Sequence, residues 1–103
     1  MKINNHKRNG VYIELSDEVK LSCVYGKSTY SDNRDLEGDY EEEAPPSKTI
    51  EVMVTAPEKL HKKIFKKYEE FDTGDNILAY LPLNDYLQVV EMCRKYVVKH
   101  EKR

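Results

Sequence analysis

Residues 49–83 read TIEVMVTAPEKLHKKIFKKYEEFDTGDNILAYLPL, and the order of elements in this stretch decides the fold. Ile50, Val52 and Val54 alternate with Glu51 and Met53, the period of a half-buried strand. Leu60, Ile64, Tyr68 and Phe71 then recur at helical spacing, so a helix is expected as far as Phe71. Thr55 with Glu58 matches a capping box, and Pro57 falls in the first turn, where its missing N–H is harmless. Gly74 in DTGDN stops the helix. Residues 76–83, NILAYLPL, are apolar on both faces apart from Tyr80 and Pro82, which suits a strand covered on both sides that ends at Pro82. A strand–helix–strand unit of this length predicts parallel strands joined by a right-handed crossover.

Upstream, Val11, Ile13 and Leu15 alternate with polar neighbours, as do Val19, Leu21, Cys23 and Tyr25. A two-residue turn at Asp17-Glu18 would pair Leu15 with Lys20 and mix the faces. Pairing Leu15 with Val19 sets Ile13 beside Leu21 and Val11 beside Cys23. The hairpin is therefore expected to turn through Ser16–Glu18, or through an equivalent bulge. Downstream, Asn84 or Asp85 caps a last helix whose inner stripe is Tyr86, Val90, Cys93 and Val97, flanked by Val89 and Tyr96. The expected fold is α+β. It is one small domain with a mixed four-stranded sheet in the order β-β-β-α-β-α, with helices on one face or split between both. Residues 1–10 read as a flexible lead-in, 27–47 as an acidic mobile loop, and 48–103 as the strand–helix–strand–helix unit.

The loop between the second and third strands has no apolar periodicity. Asp32 to Glu43 carries seven acids and one Arg, a net of −6, so the rest of the chain sums to +4 against a total of −2. Burial here returns too little to offset the entropy of ordering, so weak packing is expected. A structureless loop of about twenty residues is uncommon in a compact domain unless it is functional or disordered. Its binding candidates are Tyr30, Asp32, Asp35, Glu37, Asp39, Tyr40, Glu41, Glu42 and Glu43, with Tyr25 as a further aromatic group beside them. Like charge keeps such a run extended, and tyrosines bind with little entropy loss. It could dock on a basic protein surface, imitate a phosphate backbone, fold onto the chain's own lysines, or serve as a solvated linker. The sequence GDYEEE also resembles a sulfation or phosphorylation context.

The 103 residues suit one domain, which at this size buries roughly 60–70% of its unfolded surface and needs no metal or disulfide to fold. Eight Tyr, two Phe and no Trp make Tyr the main large side chain. The net charge predicts no bulk attraction to nucleic acid or anionic membrane. No apolar run nears the ~20 residues of a membrane span, and MKINNHKRNG lacks the apolar core of a signal peptide. Cys23 and Cys93 form no CxxC pair and are too few for a disulfide scaffold. The expectation is a soluble, cytoplasmic protein.

Catalytic signatures are absent. Cys23 and Cys93 fall on apolar faces, and His6, His61 and His100 have no sequence link to a nucleophile. Cys93 and His100 share a helix face, but two ligands fall short of a zinc site. The acids do not follow the EF-hand order, and the isolated glycines make no phosphate loop. No enzyme activity, cofactor, metal or catalytic residue is expected.

The competing candidate is a nucleic-acid surface on the helix over 58–71. Lys59, Lys62, Lys63, Lys66 and Lys67 lie opposite Leu60, Ile64 and Tyr68, where they could track phosphates or simply form a solvated face. No Arg accompanies them. The leading expectation is a non-enzymatic intracellular protein-binding module, an inhibitor or adaptor, that uses the acidic, Tyr-bearing loop on a basic partner. Small phage or mobile-element regulators share this build, by analogy alone. A nucleic-acid-binding accessory role is the alternative. A membrane partner is not expected, and an exposed edge strand of the hairpin is a candidate for homodimerisation.

Overall fold

The computed structural model describes residues 1–5, 9–38 and 42–101, with backbone only at 101. The chain forms β1 (Lys2–Asn5), β2 (Gly10–Glu14), β3 (Lys20–Val24), β4 (Thr49–Thr55), α1 (Glu58–Lys67), β5 (Ile77–Pro82) and α2 (Leu83–Glu101). A 3-10 turn at Glu69–Phe71 follows α1. The strands form one five-stranded sheet in the order β1-β2-β3-β4-β5, and every neighbouring pair is antiparallel. The molecule is thus a small α+β domain with an antiparallel sheet and two helices.

The β2–β3 hairpin has the expected register, with Val11 opposite Cys23 and Ile13 opposite Leu21. The amide of Leu15 donates to Val19 O at 2.9 Å, so the loop is Ser16–Glu18. The Ser16 hydroxyl oxygen accepts from the amides of Glu18 and Val19 and fixes that turn.

Two expectations about the sheet are corrected. The lead-in contains a strand: β1 pairs with β2, with Ile3 opposite Ile13. Every side chain of β1 is exposed, so the backbone ladder holds it rather than burial, and a single apolar residue gave no periodic signal. The sheet is also not mixed. A parallel crossover must return along the whole of β4, about 20 Å. Helix α1 rises only about 15 Å. Residues 69–76 do not complete the return but reverse the chain. Asp72 bridges Leu78, and Asn76 O accepts from the amide of Val54, so β5 starts beside the end of β4. Asn76 and Gly74 take left-handed backbone angles in this reversal (φ 66° and 90°).

Both helices cover one face of the sheet. Leu60, Ile64, Phe65 and Tyr68 from α1 and Val89, Cys93 and Val97 from α2 pack on Leu15, Leu21, Cys23, Val52, Val54, Leu78 and Leu81. Strand β5 is therefore an edge covered on one face, not a strand buried on both. Smaller corrections follow. Thr55 stays in β4 opposite Lys20, so Pro57 occupies the N-cap of α1 without a side-chain cap bond. Helix α2 begins at Leu83, directly after Pro82, which places Asn84 and Asp85 inside its first turn. Its buried stripe is centred on Val89 and Cys93, and Val90 is only half-buried.

Truncating Ile64 to Ala should cost about 2–5 kcal/mol in urea unfolding, and Val89→Ala should cost more than Val90→Ala. A loss below about 0.5 kcal/mol at Ile64 would contradict this helix placement.

Candidate functional site

The stretch from Tyr25 to Lys48 leaves the sheet between β3 and β4. Residues 28–36, expected to be weakly packed, carry a network of hydrogen bonds. Polar groups do the work that apolar burial cannot. Asn33 is buried, and its side-chain amide donates to Tyr25 O (2.8 Å) and Pro45 O (2.9 Å). One side chain thereby ties the start of the excursion to its return. Asn9 acts similarly: it donates to Glu42 O, accepts from the Ala44 amide, and its carbonyl accepts from the Tyr25 amide. Gly26 passes so close that an added Cβ would lie 2.9 Å from the Asn9 side chain, so any larger residue there would displace Asn9. Buried Ser31 shares a hydrogen bond with the Thr29 hydroxyl, and the Thr29 hydroxyl donates to Gly26 O.

Asp32, expected as a partner contact, is engaged internally. Its carboxylate accepts from the Lys48 amide (2.9 Å) and the Thr49 hydroxyl (2.8 Å), and its own amide donates to the Thr49 hydroxyl oxygen. Glu51 accepts from the Tyr30 amide at 3.0 Å. Thr49 and Glu51 point away from the helices, so the excursion lies across the helix-free face at this end of the sheet.

Here the excursion meets an irregularity in β5. Ile50 pairs with Leu81 and Val52 with Leu78, so Ala79 and Tyr80 together stand opposite Glu51. Tyr80 takes φ 54°, a left-handed conformation that costs a bulky residue about 1–3 kcal/mol. Its amide donates to Tyr30 O at 2.8 Å. Its ring stands 6.2 Å from the Tyr30 ring at an angle of 51°, and the Arg34 guanidinium lies 4.5 Å above the Tyr30 ring. Tyr80 is 43% exposed. A bulge and a polar loop thus present an aromatic pair capped by a cation.

Of the expected site residues, Tyr30 is half-buried, and Asp35, Glu37, Glu42 and Glu43 are exposed. Asp39, Tyr40 and Glu41 lie outside the described residues. Tyr25 is not a free aromatic. It packs against the core and lines an open groove of about 480 Å³ with Ile50, Ala44, Pro46 and Leu83. Sequence reasoning missed Tyr80, Arg34 and Asn33. The one available signal was Tyr80 interrupting an apolar strand.

The lysines of α1 are exposed on the helical side of the molecule. Lys62 pairs with Glu58 at 2.8 Å, and the Lys67 ammonium lies 5.6 Å from the Tyr68 ring. The excursion's described hydrogen bonds to the rest of the chain run to Asn9, β4, β5 and the first residue of α2. Burial pushes the thiols of Cys23 and Cys93 up to about 11 and about 12, and Tyr86 hydrogen-bonds Cys23. Both are protonated near neutral pH and unsuited as nucleophiles. Among the described residues no group of three or more His, Cys, Asp or Glu could hold a metal, and no helix is long and apolar enough to cross a membrane. No family model matches the chain, and no curated protein or solved structure matches it either.

Replacing Asn33 by Ala removes two part-buried hydrogen bonds, which together should cost about 1–3 kcal/mol. Asn33→Asp should be no better, because a carboxylate cannot donate to Tyr25 O and Pro45 O. Chemical denaturation checks both, and a change below about 0.5 kcal/mol would remove the hub role.

Proposed function

We propose that the protein is a non-enzymatic binding module, an inhibitor or adaptor, which engages a basic surface on another intracellular protein. The observation that carries this reading is the Tyr30–Tyr80 pair, half-buried Tyr30 beside exposed Tyr80, held by a strained bulge on an excursion that also exposes Asp35, Glu37, Glu42 and Glu43. Backbone strain at a bulky residue persists only where the surroundings over-determine it, and such sites cluster where a protein meets a ligand. Tyrosines at the centre of a contact supply area at low entropy cost, while acids at the rim steer a cationic partner. Binding rather than catalysis fits a site without an activated nucleophile, general base or metal cluster among the described residues.

Nucleic-acid binding through α1 is the second reading, supported by exposed Lys59, Lys63 and Lys66. Its neighbours Glu58, Glu69 and Glu70 weaken the local field.

Parallel affinity captures from the native host should retain a partner on the wild-type chain and lose it on Tyr80→Ala. Measured on that partner, Tyr80→Ala should weaken binding at least about tenfold, mainly through dissociation. Replacing Glu41, Glu42 and Glu43 by Gln should slow association, with an effect that shrinks as salt rises. Tighter binding of that triple variant to random DNA, with a steep salt slope, would instead favour α1. Retention of every partner by Tyr80→Ala would overturn the proposal.

A further inference from the structure

Helix α2 carries a second surface that the proposed site does not use. Its buried stripe takes up Val89, Cys93 and Val97, which leaves Leu87, Glu91, Arg94 and Val98 along the outer side. Leu87 is 62% exposed and Val98 37%, while the side chains of Glu91 and Arg94 are each about half exposed. Glu91 and Arg94 join through paired contacts on the guanidinium, at 3.0 Å from Nε and 2.5 Å from the terminal nitrogen.

The order of these residues is its own mirror. From Leu87 the steps are four, three and four residues, and the types run apolar, acidic, basic, apolar. Read backwards from Val98, the steps are the same and the charges exchange. A twofold axis across the helix between Glu91 and Arg94 therefore sets Leu87 on Val98 of a second copy and Glu91 on its Arg94, and the reverse contacts follow by symmetry. An isologous interface needs this property: the patch must be complementary to itself after rotation. Most helix surfaces lack it, because like charges would meet.

We propose that α2 is a self-association surface on which two copies of this chain pack their helices antiparallel, Leu87 against Val98 and Glu91 against Arg94. The four charges form a network at the centre, and the apolar residues close it at each end. The seam is small beside the ~800 Å² per partner of a standard interface, so the dimer is weak and depends on concentration. The parallel arrangement would set Glu91 beside Glu91 and Arg94 beside Arg94, which disfavours it.

Sedimentation velocity over a concentration series into the millimolar range tests this. The wild-type chain should dimerise. Leu87→Glu, Glu91→Arg and Arg94→Glu should each raise the dissociation constant at least about tenfold, with only a small shift in thermal unfolding from the lost intrahelical Glu91–Arg94 pair. The decisive arm mixes the Glu91→Arg and Arg94→Glu proteins. Neither should self-associate, but together they should form a heterodimer within about threefold of the wild-type constant. The double exchange on one chain should also dimerise. A wild-type monomer throughout, or a mixture that stays monomeric, overturns the proposal. So does a dimer indifferent to these changes but lost on Asn4→Pro, which would place association on the β1 edge.

Discussion

The side-chain amide of Asn33 is the constraint on which the excursion depends. A chain that leaves a sheet at Tyr25 and returns at Thr49 must satisfy its backbone groups without help from strands or helices. Asn33 sits near the middle and reaches both ends, through Tyr25 O and Pro45 O. With these ends tied, Tyr30 and Asp32 fall over β4, where Glu51 and Thr49 fix their backbone. Tyr30 O is then in place to accept the one amide that the β5 bulge turns out of the ladder, that of Tyr80. Asparagine is the residue for this position because one planar group supplies two donors to diverging carbonyls.

The division of labour between the two faces follows. The helical face buries the apolar residues in one cluster, so the stabilisation of burial is concentrated there. The helix-free face, where the excursion crosses β4 and β5, is held by hydrogen bonds. Polar scaffolding of this kind adds little net stability per bond but is costly to break, so it holds a shape without enlarging the core. The part of the excursion around Tyr30 and Asp32 and the lysines of α1 consequently lie on different sides of the sheet.

Much of the fold was legible in the sequence where periodicity reported burial directly. The alternation of Val11, Ile13, Leu21 and Cys23 gave the hairpin and its register, and Leu60 and Ile64 gave the buried side of α1. The failures have identifiable causes. Ile3 is alone in β1, and a strand held by its ladder leaves no apolar pattern. The direction of β5 depended on whether residues 69–76 continue a helical return or reverse, and composition does not distinguish the two. The apolar run at Ile77–Leu81 suggested cover on both faces, whereas the bulge at Ala79–Tyr80 disrupts the alternation of an edge strand. The acidic loop is legible by its charge, but its hydrogen bonding is not, because Asn33 and Asp32 act through contacts distant in sequence. For the same reason the sequence offers Asp32 only as a partner contact, whereas its two oxygens accept from the Lys48 amide and the Thr49 hydroxyl.

That the excursion is a built platform is tested most directly by amide hydrogen exchange at Tyr80, Arg34 and Tyr25 in the free protein. Their amides donate to Tyr30 O, Ser31 O and Asn9 O. Exchange there should be slowed by at least about a hundredfold relative to an unstructured chain, since opening requires breaking the hub rather than fraying an end. Complete exchange of all three at the earliest time point, with the Leu21 and Val52 amides still protected, would show a loose loop on a folded sheet and contradict the central claim.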